Sequence, residues 1–247
     1  MYTALIFRPL YNGLVGIIDL LPWIDVGVAV IIFTAIVKFI LYPLSKSALL
    51  TQVRMREVEP EANKIRAQYA NDRQNQALKI MELYKAKGVR PFAGVLLLII
   101  QLPILLSIIS VFYKIIPTVQ TDLLYPLVLA HLPMLHTTFL GLIDLTKPSL
   151  ILALITAVVQ FLQIKYSLAS AMAAKQPAGA ATGAAAMSAT MTTQMKYLVP
   201  ILAFTSIYWI IPAKYPQASS IIALYWMTSS LMTFLQELII RRKHLKA

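Results

Sequence analysis

The sequence predicts an all-α integral membrane protein with five transmembrane helices, an N-terminal interfacial helix and a cytoplasmic helical hairpin. Three observations carry that prediction. Of the 247 residues, 59% are hydrophobic and only 13% charged, about half the charged share of an ordinary soluble domain. The apolar residues fall in runs of bilayer length. The formal net charge of +12 gathers in segments that a membrane would keep on one side.

The elements follow in order. Residues 1–22 read as an outer-face amphipathic helix: Leu10, Leu14, Ile17 and Leu21 make one stripe, with Arg8, Asn12 and Asp19 opposite. No basic n-region or small-residue cleavage site precedes the first apolar run, so the expectation is a retained signal anchor. The first span covers 23–44, bounded by Asp25 and Lys46. Residues 45–91 carry ten Lys or Arg residues and two helical stripes, Val58-Ala62-Ile65-Tyr69 and Ala77-Met81-Tyr84. Asn71-Asp72 supplies a turn between them and Gly88 a C-cap. The second span is 92–114, followed by an outer loop at 115–148. The third is 149–168, followed by a low-complexity Ala/Thr/Met segment at 169–194, read as a flexible cytoplasmic linker. The fourth span is 195–211, ending before Pro212, and 212–217 is an outer turn. The fifth is 218–240, and 241–247 is a basic tail. The hairpin and tail are Lys/Arg-rich and the intervening loops are not. The positive-inside rule therefore puts the N-terminus outside and the C-terminus in the cytoplasm of a plasma (inner) membrane.

Several chemistries are excluded. The chain has no cysteine, so disulfides, thiolate metal sites and a thiol nucleophile are out. There is no phosphate-binding G-x-x-x-x-G-K-[ST] loop and no H-E-x-x-H. His131 and His136 share a loop at poor spacing for a metal pair. The ten acidic residues form no acid/base pair, and Glu237 reads as an ordinary i, i+4 partner of Arg241. Neither an enzyme nor a cofactor is expected.

What remains is Lys38, in "IIFTAIVKFILYPLS". At 1.5 Å per residue it lies roughly 20 Å below Asp25 and roughly 12 Å above Lys46. One reading is snorkelling, the ammonium reaching the inner headgroups. The other is a polar pocket, because an intramembrane lysine costs about 2.5–3.5 kcal/mol and usually faces a bundle interior or a water-filled cavity. Thr34 lies one turn before it. Gln101 sits in the second span. Thr156, Gln160 and Gln163 stripe the third, and Tyr225, Ser229, Thr233 and Gln236 stripe the fifth. Singly these are inter-helix hydrogen-bonding groups. Together, around a lysine without an acidic neighbour, they favour a hydrated pocket open to the cytoplasm. Such a pocket would attract an acidic peptide tail or a small anion, with about 4 kcal/mol of attraction per carboxylate at 4 Å and an effective dielectric of 20.

Five segments in order resemble the YidC/Oxa membrane protein insertases. They are "IIFTAIVKFILYPLS", "GVRPFAGVLLLIIQLPI" (with Pro91, Gly94, Gln101 and Pro103), "FLGLIDLTKPS", "MKYLVP" and "ALYWMTSSLMTFLQELIIRR". Departures are Lys38 where arginine is usual, Val95 and Leu97 for a frequent Cys and Pro, and Ser230 for Asn. The resemblance implies a positively charged hydrophilic groove, open to cytoplasm and lipid. It also implies that short polar client segments slide through this groove, and no nucleotide hydrolysis is expected. It implies groove roles for Lys38, Gln101, Gln163 and Trp226. Thr34, Gln160 and Ser229 join them as client-binding candidates from the polar stripes. The implied partners are nascent membrane proteins and the bilayer, with a Sec-type translocon and ribosomes as further ones. No sequence-specific nucleic-acid contact is expected. The alternative is an anion channel or small-solute transporter, against which stands the lack of an inverted repeat.

Overall fold

The computed structural model describes residues 3–89, 93–115, 119–129, 135–172, 194 and 196–244. Of the segment expected to be flexible, 169–172 belong to a helix and 173–193 lie outside the described residues, as do Pro91 and His131.

The chain is a helical assembly. A π-helical turn at Thr3–Phe7 leads into α1 (Arg8–Leu20). The face that packs inward is Phe7, Tyr11, Leu14, Val15 and Ile18, with Asn12 among them. The buried face is wider than the expected Leu10-Leu14-Ile17-Leu21 stripe, of which Leu14 is fully buried and Leu10 and Ile17 pack half-buried against the core. The reason is that Asn12 is satisfied in place. Its Nδ2 donates to Leu123 O at 2.9 Å and its Oδ1 accepts from Tyr125 N–H at 2.6 Å. Arg8 Nε donates to the same Leu123 carbonyl at 3.3 Å, and Gln120 N–H donates to the Tyr11 hydroxyl at 2.7 Å. A polar residue with partners can be buried at little cost. The loop at 119–125 is thereby held to α1.

α2 (Val26–Ile40) begins at Asp25, whose Oδ1 accepts from Val28 N–H and whose Oδ2 accepts from Leu140 N–H at 3.0 Å. One carboxylate thus caps a helix and ties down a small hairpin. That hairpin pairs β1 (Thr138–Phe139) with β2 (Ile143–Asp144) in antiparallel register. Its turn places Leu140 at φ 51° and Gly141 at φ 71°. Two left-handed residues in succession are what a type I′ turn requires. The Phe139 ring lies on Gly27, where an added Cβ would fall inside the ring's van der Waals envelope and 2.9 Å from Asp25 Oδ1. Gly27→Ala should therefore lower stability by about 1–2 kcal/mol, overpacking outweighing the gain in helix propensity. In Gly16→Ala, where a Cβ meets nothing within 4 Å, only that gain remains. Thermal unfolding in detergent micelles should rank G16A above wild type and G27A below it; the reverse order would discredit the contact.

The first expected span is not one straight helix. It breaks at Leu41, and α3 (Tyr42–Gln68) leaves at 59°. Pro43 has no N–H to return to the Phe39 carbonyl, which is the ordinary cause of such a bend. α3 and α4 (Arg73–Ala86) form a hairpin at residues 42–89. Asp72 caps α4 by accepting from Asn75 N–H at 3.0 Å. The backbone and then the side chain of Asn75 hold its carboxyl below the usual carboxylate range. Gly88 has φ 62° and Val89 N–H closes on Tyr84 O. Val58, Tyr84 and Val89 form a small core between the two helices.

α5 (Ala93–Ile115) carries Pro103, α6 (Pro126–Leu129) is one turn, and α7 (Leu150–Met172) follows Ser149, whose hydroxyl accepts from Leu152 N–H at 3.3 Å. α8 runs Lys196–Lys214. Pro212 does not end it. A π-helical stretch at Ser206–Ile210 precedes the proline and absorbs its missing donor, and helix continues to Lys214. A 3-10 turn, Pro216–Ala218, leads into α9 (Ser219–His244), which extends past the expected end at 240 into the basic tail.

Among the described residues three helical stretches are long and apolar enough to cross a membrane: Thr3–Leu20, Leu150–Ser167 and Lys196–Lys214. The bent pair Val26–Ile40 with Tyr42–Met55 makes a fourth, and Ile99–Ile115 is a shorter apolar stretch. The helix expected to lie in the interface is thus among those long enough to cross. Only 17% of the α7 and α8 stretches is buried. Ile151, Leu154, Ile155, Val158 and Leu162 of α7 and Leu198, Ile201, Leu202, Trp209 and Ile210 of α8 are exposed. Helices that present their hydrocarbon outward have lipid as their solvent.

The apolar core is lopsided. It gathers the inward face of α1, α2 from Val26 to Val37, α5 from Ile108 to Ile115, the start of α7, Ala218 and residues 221–225 of α9. Beyond those limits, toward the end of the bundle from which the α3–α4 hairpin leaves, the buried positions of α9 are mostly polar: Thr228, Gln236, Glu237 and Arg241, with Ile240 among them.

Candidate functional site

That polar end is organised by α9. Below Tyr225 its inward side chains read Thr228, Ser229, Thr233, Gln236 and Glu237. The i, i+4, i+7 spacing puts several of them on one helical face. Around this helix lie α2, α5 and α7.

Toward α5, the buried Tyr225 hydroxyl faces Ser229 of its own helix and Gln101. Toward α2, Lys38 Nζ donates to Thr233 Oγ1 at 3.1 Å, and Gln236 Nε2 donates to the Lys38 carbonyl at 3.1 Å. Thr233 in turn donates its hydroxyl proton to Ser229 O at 2.8 Å. Toward α7, Thr156 donates to Leu152 O at 2.7 Å and lies 3.1 Å from Ala223 O. Lower down, Gln163 Nε2 donates to Ser167 Oγ at 3.4 Å. Ser167 donates to Glu237, which also accepts from Arg241. The Arg241 guanidinium lies 5.6 Å from the centre of the Tyr166 ring, and that ring meets Phe234 edge-on at 5.1 Å.

Of the residues singled out from sequence, Gln101 and Ser229 come together through Tyr225, and Lys38 joins the same helix face one turn further along. Thr34 does not point its hydroxyl at Lys38. It is 1% exposed and bonds back to Val30 O at 2.6 Å, the usual fate of a threonine in a buried helix. Gln163 is turned toward Ser167, and Trp226 packs half-buried against the apolar core. Gln160 is half-buried, with a buried Oε1 that has no partner among the described residues. Such an atom in a polar surround is a place for water. Glu237 is more than a helix-surface pair. It is 1% exposed and bridges α9 to α7. Ser167 and Tyr166 gave no signal in the sequence. Thr233 and Gln236 did, as the continuation of the stripe through Ser229.

The electrostatics are one-sided. Glu237 is matched by Arg241. Among the described residues Lys38 makes no ion pair. An ammonium group has three protons to donate, and one goes to Thr233. The described residues contain no group of three or more His, Cys, Asp or Glu side chains fit to hold a metal.

The sequence is similar to those of known proteins. The family described as "60Kd inner membrane protein" matches residues 19–247. The membrane protein insertase YidC of Francisella philomiragia is 27% identical over 218 residues, which are 88% of this chain and 33% of that protein. The YidC proteins of Francisella tularensis subspecies novicida and tularensis are each 28% identical over the same span and shares. The chain therefore spans about a third of the length of these curated relatives. With the match running from residue 19 through α9, the chain belongs to the 60Kd inner membrane protein family, the YidC/Oxa insertases.

Proposed function

We propose that the protein inserts newly made membrane proteins into a plasma (inner) membrane, drawing short hydrophilic client segments into the polar end of the bundle. The observation that carries this is Lys38: a cation inside an apolar helix, whose ammonium is hydrogen-bonded, among the described residues, to the neutral Thr233 hydroxyl of the polar face of α9. In this reading the pocket, with Lys38, Gln101, Gln160 and Ser229 around it, opens to the cytoplasm. The N-terminus lies outside and the basic hairpin and tail inside. The work is thermodynamic and uses no nucleotide. The charge offsets part of the cost of desolvating an acidic tail, and burial of the client's apolar segment, at about 25 cal/mol per Å², drives completion. Nascent chains and lipid are the primary partners, and a Sec-type translocon or ribosome would be met through the hairpin and tail.

Purified protein in liposomes should speed insertion of a single-span client with a short acidic tail. Lys38→Ala should slow it roughly tenfold, as loss of about 1.4 kcal/mol of attraction implies. Lys38→Arg should retain the charge and most of the rate. Equal insertion by wild type and K38A would remove the groove role. Chloride flux through the same liposomes would favour an anion channel instead.

A further inference from the structure

A lysine four methylenes long can usually lift its ammonium to the headgroups. Lys38 is held at both ends by one helix. Its head donates to Thr233 Oγ1 at 3.1 Å and its carbonyl accepts from Gln236 Nε2 at 3.1 Å. These two α9 residues are three apart, so they share a face. The Thr233 hydroxyl proton is committed to Ser229 O at 2.8 Å, which leaves an oxygen lone pair, not a proton, facing the ammonium. Gln236 is 7% exposed and reaches the carbonyl just before the break at Leu41. There the helix is weakened by Pro43 and α2 could otherwise rotate against α9.

We propose that Thr233 and Gln236 are positioning residues that form a two-point clamp on Lys38, keeping its ammonium inside the bundle and aimed at the polar pocket instead of the headgroups. A hydroxyl is the fitting acceptor. A carboxylate at 233 would hold the lysine more strongly but cancel its charge, whereas threonine fixes position and leaves two ammonium protons for the carboxylate of a client tail. The clamp rests on the insertase reading for its purpose and on geometry alone for its existence.

The two are separable by experiment. In proteoliposomes, the Lys38 amine is modified with trinitrobenzenesulfonate and its extent of reaction read by peptide mass spectrometry. Wild type should react slowly. Thr233→Val and Gln236→Leu should each raise the rate about threefold and together about tenfold, as the ammonium moves to the headgroup level. Thr233→Ser, which keeps the acceptor, should return it to the wild-type value. An unchanged rate in T233V and Q236L, or a rise in T233S equal to that in T233V, overturns the clamp whatever the insertion assay gives. A raised rate in T233V restored in T233S, found alongside normal insertion by K38A, upholds the clamp and defeats the groove reading instead.

Discussion

Glu237→Ala should destabilise the protein by about 3–5 kcal/mol, the usual result of removing one member of a buried ion pair. Glu237 is 1% exposed and accepts from both Arg241 on its own helix and Ser167 on α7. Without it, the Arg241 guanidinium is left against the Tyr166 ring with its charge unmatched, and its Nε already has no partner among the described residues. The ring contact is worth only about 0.5–2 kcal/mol, too little to compensate. The double variant Glu237→Leu with Arg241→Leu should come within about 1 kcal/mol of wild type or above it, because no orphaned charge remains and the desolvation cost of both groups is gone. Unfolding in mixed micelles, titrated with dodecyl sulfate, reads both. If the single variant loses less than about 1 kcal/mol, the pair is effectively solvated and the α7–α9 seam is looser than its contacts indicate.

Asn12→Leu should cost about 2–4 kcal/mol, nearly all of it local. The substitution is close to isosteric, so packing of α1 survives. What is lost is the acceptor for Tyr125 N–H and one of two donors to Leu123 O. A buried amide left without a partner costs about 1–3 kcal/mol; Leu123 O keeps its longer bond from Arg8. The loop at 119–125 should then open without global unfolding. Hydrogen exchange at the Tyr125 amide should accelerate about 30- to 700-fold, the factor that 2–4 kcal/mol represents. An unchanged exchange rate would mean that the loop is held by something other than α1.

Much of this architecture was legible in the residues. Long apolar runs located the helices, because a helix bathed in lipid needs hydrocarbon on every outward position and leaves a strong periodic trace. The turn chemistry of Asp72 and Gly88 is local, so the hairpin could be read from a few residues. Lys38 stood out because nothing near it in the chain explained it. The misses share a different cause. Asn12 was assigned to the outer face because polarity alone says nothing of partners, and its partners lie 111 and 113 residues away. Glu237 looked like a helix-surface pair because Arg241 is four residues on, while Ser167 is 70 residues off. The break at Leu41 depends on how α2 and α3 dock as well as on Pro43, and Pro103, Pro60 and Pro212 all lie within helical stretches. A proline in a sequence marks where a bend is cheap and does not say whether it occurs.

The grip of α9 on Lys38 spans 195 residues. At a synthesis rate of about 5–20 residues per second, the lysine exists for about 10–40 s before its holder is made. During that interval it must rest at the membrane surface, and α2 can settle only when α9 arrives. The delay is built into the order of the chain itself. The last long helix is its closing step, and a chain cut before α9 would leave Lys38 permanently without its clamp.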